Sequence, residues 1–84
     1  MRDERGLYYY PSAGNHRVRM YVKRDQGAVW FRMWSADDPQ LWEQHEWVPY
    51  EAIRRAAEIY TGKNFDPRRA YDIDAAQALL SEGE

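Results

Sequence analysis

Two alternating segments decide the fold of this chain: HRVRMYVKR at residues 16–24 and AVWFRMWS at residues 28–35. Apolar side chains recur at every second position of each segment, which is the period of a β-strand. If the two strands pair as a hairpin, one face carries the apolar side chains of Val18, Met20, Val22, Val29, Phe31 and Met33. This pattern predicts the side of a sheet that is buried in the core.

The other face of the same hairpin combines three large rings with four cations: Arg17, Arg19, Tyr21, Lys23, Trp30, Arg32 and Trp34. The sequence leaves two interpretations of this face open. The rings can pack against Trp42 and Trp47 of the same chain, while arginine stems lie across them and make cation–π contacts. Alternatively, the face stays open, and its rings and cations bind a partner.

The turn between the two strands determines which side chains share a face. Residues 24–27 supply this turn, and Gly27 is the residue that adopts positive φ most easily. A loop of two or four residues keeps the apolar face uniform, whereas a three-residue loop with a bulge at Gly27 would mix the two faces. We therefore expect Val22 to pair with Val29 and Met20 with Phe31, or the equivalent register one step away.

The predicted fold class is α+β. A further strand candidate precedes the hairpin and ends at Pro11. We expect a three-stranded antiparallel meander whose strands cover about 7–10, 16–24 and 28–35. The expected architecture is a single compact domain over residues 1–84, with loose termini and with helices packed on the sheet.

Three helices are predicted after residue 35, where the apolar period changes from that of a strand to that of a helix. A short helix is expected at 39–45, because an Asp-Pro pair supplies its N-cap and first residue. A long helix is expected at 49–61, since Pro49 is a start signal like Pro39, an apolar stripe follows it, and Gly62 comes directly after the segment. Asp74 is the predicted N-cap of a last short helix at about 74–81.

The composition is typical of a cytoplasmic protein. The chain has no cysteine, so disulfides, thiolate metal sites and cysteine nucleophiles are excluded. The opening residues lack the apolar region of a signal peptide, and no apolar run approaches the roughly 20 residues that a helix needs to cross a bilayer. We therefore expect a cytoplasmic localisation and no membrane partner.

Charge is distributed unevenly along the chain, whose formal net charge is −2. Residues 1–35 carry seven basic and three acidic side chains, a net charge of +4, whereas residues 36–84 carry five basic and eleven acidic ones, a net charge of −6. Such asymmetry indicates either a basic binding face or two parts that attract each other, within one chain or across a dimer. We favour the second interpretation.

The segment around His45 is the strongest sequence candidate for a catalytic or metal site, since it places an imidazole and a carboxylate next to two indoles. A zinc-protease helix would need a second histidine where Pro49 stands. The patterns of catalytic serines and of paired carboxylates are not met either. We therefore predict no catalytic, metal or cofactor-binding residues and no cofactor, and we expect that the protein is not an enzyme.

The sequence predicts a small non-catalytic interaction module, although no motif or family signature identifies its partner. Aromatic residues and arginine are enriched where protein interfaces are tightest. The predicted binding residues, for a protein partner or for a second copy of the chain, are Arg17, Arg19, Tyr21, Trp30, Arg32 and Trp34.

Two alternatives remain open. The same face could bind single-stranded nucleic acid, because bases stack on aromatic rings while arginine pairs with phosphates. The acidic net charge and the lack of a ribonucleoprotein signature place nucleic acid after a protein partner. The other alternative is a small enzyme or metal site around His45.

Overall fold

The structure is a computed structural model that describes residues 1–12, 14–59 and 71–83. Within this part of the chain, five antiparallel strands form one sheet in sequence order. The strands are β1 (Arg2–Asp3), β2 (Gly6–Tyr9), β3 (Val18–Asp25), β4 (Ala28–Ser35) and β5 (Val48–Pro49), and the helices are α1 (Leu41–Gln44), α2 (Tyr50–Ile59) and α3 (Ile73–Gly83). The α+β class and the antiparallel sheet are thus as predicted.

The central hairpin pairs β3 with β4 over the full length of both strands. Val22 lies opposite Phe31 and Met20 lies opposite Met33, which is the expected register one step away and keeps the apolar face uniform. The turn has two central residues, Gln26 and Gly27, whose φ angles are 53° and 77°. Positive φ at both central residues is the signature of a type I′ turn, which matches the twist of the two strands.

The sheet has five strands, so the predicted three-stranded meander is wrong in strand number. β1 pairs with β2 on one side, and β5 pairs with β4 on the other. Each added strand has only two residues, too few for an alternating pattern. Pro49, which we expected to start a helix, ends β5 at the sheet edge, where a residue without an N–H interrupts no inner ladder. The opening residues, expected to be loose, supply β1.

The predicted long helix at 49–61 is wrong in its length. α2 begins at Tyr50, because Pro49 is taken up by β5, and it covers ten residues. The predicted end of this helix at residues 60–61 and its stop at Gly62 lie outside the described residues. In the described part of the chain, no helix is long and apolar enough to cross a membrane.

The short helices also start away from their predicted caps. α1 covers four residues of the predicted 39–45 span, and its N-cap position is Gln40, which makes no side-chain cap bond. The backbone carbonyl of Asp38 accepts the Leu41 N–H at 3.0 Å in the turn before the helix. α3 is longer than the predicted 74–81 span. Its cap is Asp72 and not Asp74, since Asp72 Oδ1 accepts the backbone N–H of Asp74 at 3.0 Å and that of Ala75 at 3.1 Å.

The core lies between the apolar face of the hairpin and helices α2 and α3. The buried members of this core are Met20, Val22, Phe31, Ile53, Ala76 and Leu80. Phe31 is fully buried, and its ring meets Tyr71 edge-on at a centroid distance of 5.6 Å. Burying each large apolar side chain contributes about 1.5–3 kcal/mol, so this layer dominates the stability of the fold.

Candidate binding face

The face of the hairpin opposite the core is called here the aromatic–basic face, and the chain itself covers part of it. Tyr21, at its centre, has no exposed surface. The Tyr21 ring lies 5.3 Å from Tyr8 of β2 and 5.1 Å from Trp42 of α1, measured between ring centroids. These rings form a second, smaller core, as in the interpretation in which Trp42 covers the face.

Asp3 of β1 anchors the polar end of Tyr21. Asp3 Oδ2 accepts hydrogen bonds from the Tyr21 hydroxyl and from Arg19 Nη1, the latter at 2.8 Å, while Oδ1 accepts the Arg5 N–H at 2.8 Å. Burial alone would raise the pKa of Asp3, but these three groups outweigh it and hold the pKa below the ordinary value of 3.8. Burial and the bond to Asp3 raise the pKa of Tyr21. At neutral pH, Asp3 is therefore a carboxylate and Tyr21 keeps its hydroxyl proton.

Arg19 is held between two rings. Its guanidinium carbon lies 4.8 Å from the ring centroid of Tyr8 and 4.9 Å from that of Trp34. Its Nη1 pairs with Asp3, and 28% of the side chain is exposed. The buried Nε of Arg19 has no hydrogen-bond partner among the described residues. Arg19 thus belongs to the packed part of the face, where Asp3 and the two rings fix the position of its guanidinium.

Helix α1 is fastened to the face by Arg32. Nε of Arg32, at 3.0 Å, and Nη2 both donate to the carbonyl of Trp42, and the guanidinium lies 4.1 Å from the Trp42 ring centroid. Carbonyls in the last turn of a helix lack a partner within the helix, so this bond satisfies an otherwise orphan acceptor. Arg5 adds a second cation, 5.8 Å from the ring centroids of both Trp34 and Trp42.

Arg17 lies outside this packed part. It is exposed and forms an ion pair with Asp37 at 2.6 Å. The hydrogen bond and charge of Arg17 hold the pKa of Asp37 below its usual value. This pair joins the basic part of the chain to the acidic part, so a portion of the charge asymmetry is balanced within one chain. Exposed pairs of this kind contribute little to stability, because water and salt screen the attraction between the two charges.

A groove of about 440 Å³ opens at the hairpin end of the face, beside Trp30. Its walls contain two indoles, two cations and three carboxylates, supplied by Lys23, Asp25, Trp30, Arg32, Glu43, Glu46 and Trp47. The Trp30 ring is partly exposed, and its Nε1 donates to the Asp25 carbonyl at 3.1 Å. This groove is where the aromatic–basic face offers rings and charges together to a ligand.

The two histidines are placed away from this chemistry. His45 is exposed and does not line the groove that contains Glu46. His16 is also exposed, and its ring stacks on Tyr10 at 4.2 Å with an angle of 18° between the planes. Among the described residues, no three His, Cys, Asp or Glu side chains are grouped so that they could hold a metal ion.

The structure divides the predicted binding residues into four groups. Tyr21 is buried, while Arg19 and Arg32 are engaged with rings and backbone of the same chain. Trp30 and Trp34 are partly exposed, and Arg17 is fully at the surface. Asp3 also belongs to this face, but a lone carboxylate in a two-residue strand carries no sequence signal that indicates it.

Comparison of the chain with family models, with curated proteins and with solved structures gave no match.

Proposed function

We propose that this protein is a small non-catalytic module that docks a protein partner through the open part of the aromatic–basic face. The groove beside Trp30 is the observation that supports this proposal. It presents partly exposed indoles next to charged side chains, and protein interfaces concentrate their binding energy on such residues. The proposed contacts are made by Arg17, Trp30, Arg32 and Trp34.

The covered part of the face orders the surface next to these contacts. Asp3 holds Arg19 and Tyr21 of β3, which lie beside β4, the strand that carries Trp30 and Trp34. A surface that is already ordered loses little conformational entropy on binding, which favours affinity. Arg19 and Tyr21 are therefore positioning residues in this proposal.

Several features favour a protein partner over single-stranded nucleic acid. Single strands are held by stacking of successive bases on several open rings, but Arg5 and Arg19 already lie against Trp34, the ring next to Trp30 on this face of β4 that was also predicted to bind. The carboxylates of Glu43 and Glu46 in the groove would repel phosphates. A protein partner can present both apolar and charged groups to such a mixed surface.

The proposal can be tested by affinity capture with matched baits. Three forms of the full chain are immobilised: the natural sequence, Trp30→Ser and Arg54→Ser. Arg54 is exposed on α2, on the opposite side of the sheet, and serves as the control. Thermal unfolding of each bait first establishes that it is folded.

The expected result is a protein that is retained by the natural chain and by Arg54→Ser, is lost with Trp30→Ser and survives nuclease treatment. Sedimentation equilibrium of the same three proteins checks whether the partner is a second copy. Retention that does not depend on Trp30, in a chain that is also monomeric, would contradict the proposal. Retention that disappears after nuclease treatment and falls steeply with salt would support nucleic acid instead.

A further inference from the structure

We propose that the groove beside Trp30 binds an alkylammonium group, the side chain of a lysine or methylated lysine on the partner. This inference rests on the proposed function and assigns the chemistry of the partner at that site. Trp30 and the carboxylates of the groove would form the binding site, and Trp47 would form its second aromatic wall.

Trp30 differs from the other three tryptophans in the cations that lie against its ring. In the described part of the chain, Trp34, Trp42 and Trp47 each have a cation of the same chain against the ring. No described cation or ring is placed in that way against Trp30, although its ring lines the groove. Indole is the side chain that attracts cations most strongly, so a ligand cation finds its best unoccupied position there.

Lys23 provides an internal example of the proposed contact. Its Nζ lies 4.7 Å from the ring centroid of Trp47, within the same groove. This distance is within the range of a cation–π contact, so the groove already accommodates one alkylammonium group. Lys23 is also the strand partner of Trp30, and its charge lies close to the proposed ligand position.

The charges of the groove favour a cation over an anion. Asp25, Glu43 and Glu46 line it, and none of their carboxylates forms an ion pair with another described residue. Of the two cations in the groove, Arg32 is already bonded to the Trp42 carbonyl. Three carboxylates that are unpaired among the described residues, beside an indole with no described cation against it, complement a positive ligand and repel a phosphate or carboxylate.

The test is an NMR titration of the full, ¹⁵N-labelled chain with three amides of matched length: acetyl-trimethyllysine, acetyl-lysine and acetyl-norleucine. The trimethyllysine and lysine compounds are expected to shift the indole N–H signals of Trp30 and Trp47 in a saturable way, whereas the uncharged norleucine compound is not. Sodium chloride at the same concentration controls for ionic strength.

Four variants make the assignment specific. Trp30→Leu is expected to weaken binding about threefold or more, the value of one exposed cation–π contact. The double variant Glu43→Gln, Glu46→Gln, which changes only exposed side chains, is expected to weaken it about two- to fivefold. Lys23→Met removes a competing charge and is expected to strengthen binding. Glu58→Gln, on α2, is the matched control and should leave binding unchanged.

Weaker binding by the double variant Glu43→Gln, Glu46→Gln, together with stronger binding by Lys23→Met, supports the inference even where Trp30→Leu is unstable. Equal binding of the norleucine compound, the absence of any indole shift, or weaker binding by Lys23→Met would overturn it. Failure here is distinguishable from failure of the proposed function. A partner captured through Trp30 without ammonium binding rejects only the lysine chemistry, and ammonium binding without a captured protein rejects the protein partner.

Discussion

Replacing Tyr21 by alanine should destabilise the protein as much as replacing Phe31, although the two side chains lie on opposite faces of the sheet. Both have no exposed surface. Tyr21 contacts the rings of Tyr8 and Trp42, and Phe31 contacts those of Tyr50 and Tyr71. Large aromatic side chains truncated in a core cost about 3–5 kcal/mol, and we expect values in that range at both positions.

The comparison with Trp30→Ala separates the two parts of the aromatic–basic face. Trp30 is only partly buried and makes a single side-chain hydrogen bond, so its loss should cost about 1–2 kcal/mol. Tyr21→Phe keeps the ring and removes the donor to Asp3, which should cost about 1–2 kcal/mol. The order of destabilisation is therefore Phe31 and Tyr21 first, then Trp30.

Urea unfolding followed by far-ultraviolet circular dichroism measures these free energies, because the midpoint and slope of the transition give the free energy whatever the size of the signal. The free energies can be compared when the dependence of unfolding free energy on urea concentration has the same slope in each variant. If Tyr21→Ala lowered the free energy of unfolding by less than about 1.5 kcal/mol while Phe31→Ala lowered it by about 3–5 kcal/mol, Tyr21 would not be part of a second core. A loss for Trp30→Ala as large as that for Phe31→Ala would mean that the whole face is buried.

Three further predictions concern the strand, the turn and the helix that complete the fold. The pKa of Asp3 in the folded protein lies below 3.8, so its carboxylate stabilises the fold above that pH, and this stabilisation is lost as the pH falls through the folded pKa. Asp3→Ala should therefore lower the free energy of unfolding in urea by about 1–3 kcal/mol at pH 7. The natural chain and the variant should become more nearly equal in stability in acid. If the variant remained as much less stable than the natural chain at low pH as at pH 7, this role of the Asp3 carboxylate would be contradicted. Gln26→Asn should raise the thermal midpoint, with a gain of up to about 1 kcal/mol, because asparagine tolerates the φ of 53° better; a lower midpoint would argue against the type I′ turn. Asp72→Ala should cost about 1 kcal/mol and speed amide exchange in the first turn of α3, whereas the same change at Asp74 should cost less.

The central hairpin could be predicted because its signal is local. An eight-residue strand shows three repeats of the alternating pattern, and the turn needs a residue that accepts positive φ. β1 and β5 could not be predicted in this way, since two residues show no period and their pairing depends on tertiary contacts. Pro49 illustrates the ambiguity, because proline suits both the first turn of a helix and the edge of a sheet.

The composition of the aromatic–basic face was also predictable, but its division into covered and open parts was not. Tyr21 and Trp30 have similar sequence surroundings, alternating with basic and apolar residues. Tyr21 is buried because Asp3, Tyr8 and Trp42 come to it from three other elements. Trp30 lies at the hairpin end, where β5 is short and the groove begins.

The division of the aromatic–basic face is tested most directly by the solvent accessibility of individual aromatic rings, measured by NMR relaxation with a soluble paramagnetic probe. We expect strong relaxation of the Trp30 ring protons, intermediate relaxation at Trp34, and protection of the Tyr21 ring as complete as that of Phe31. If Trp30 were as well protected from the probe as Tyr21, the whole face would be covered and the groove would offer no docking surface. Equal exposure of the two would contradict the second core on which the proposed binding surface rests.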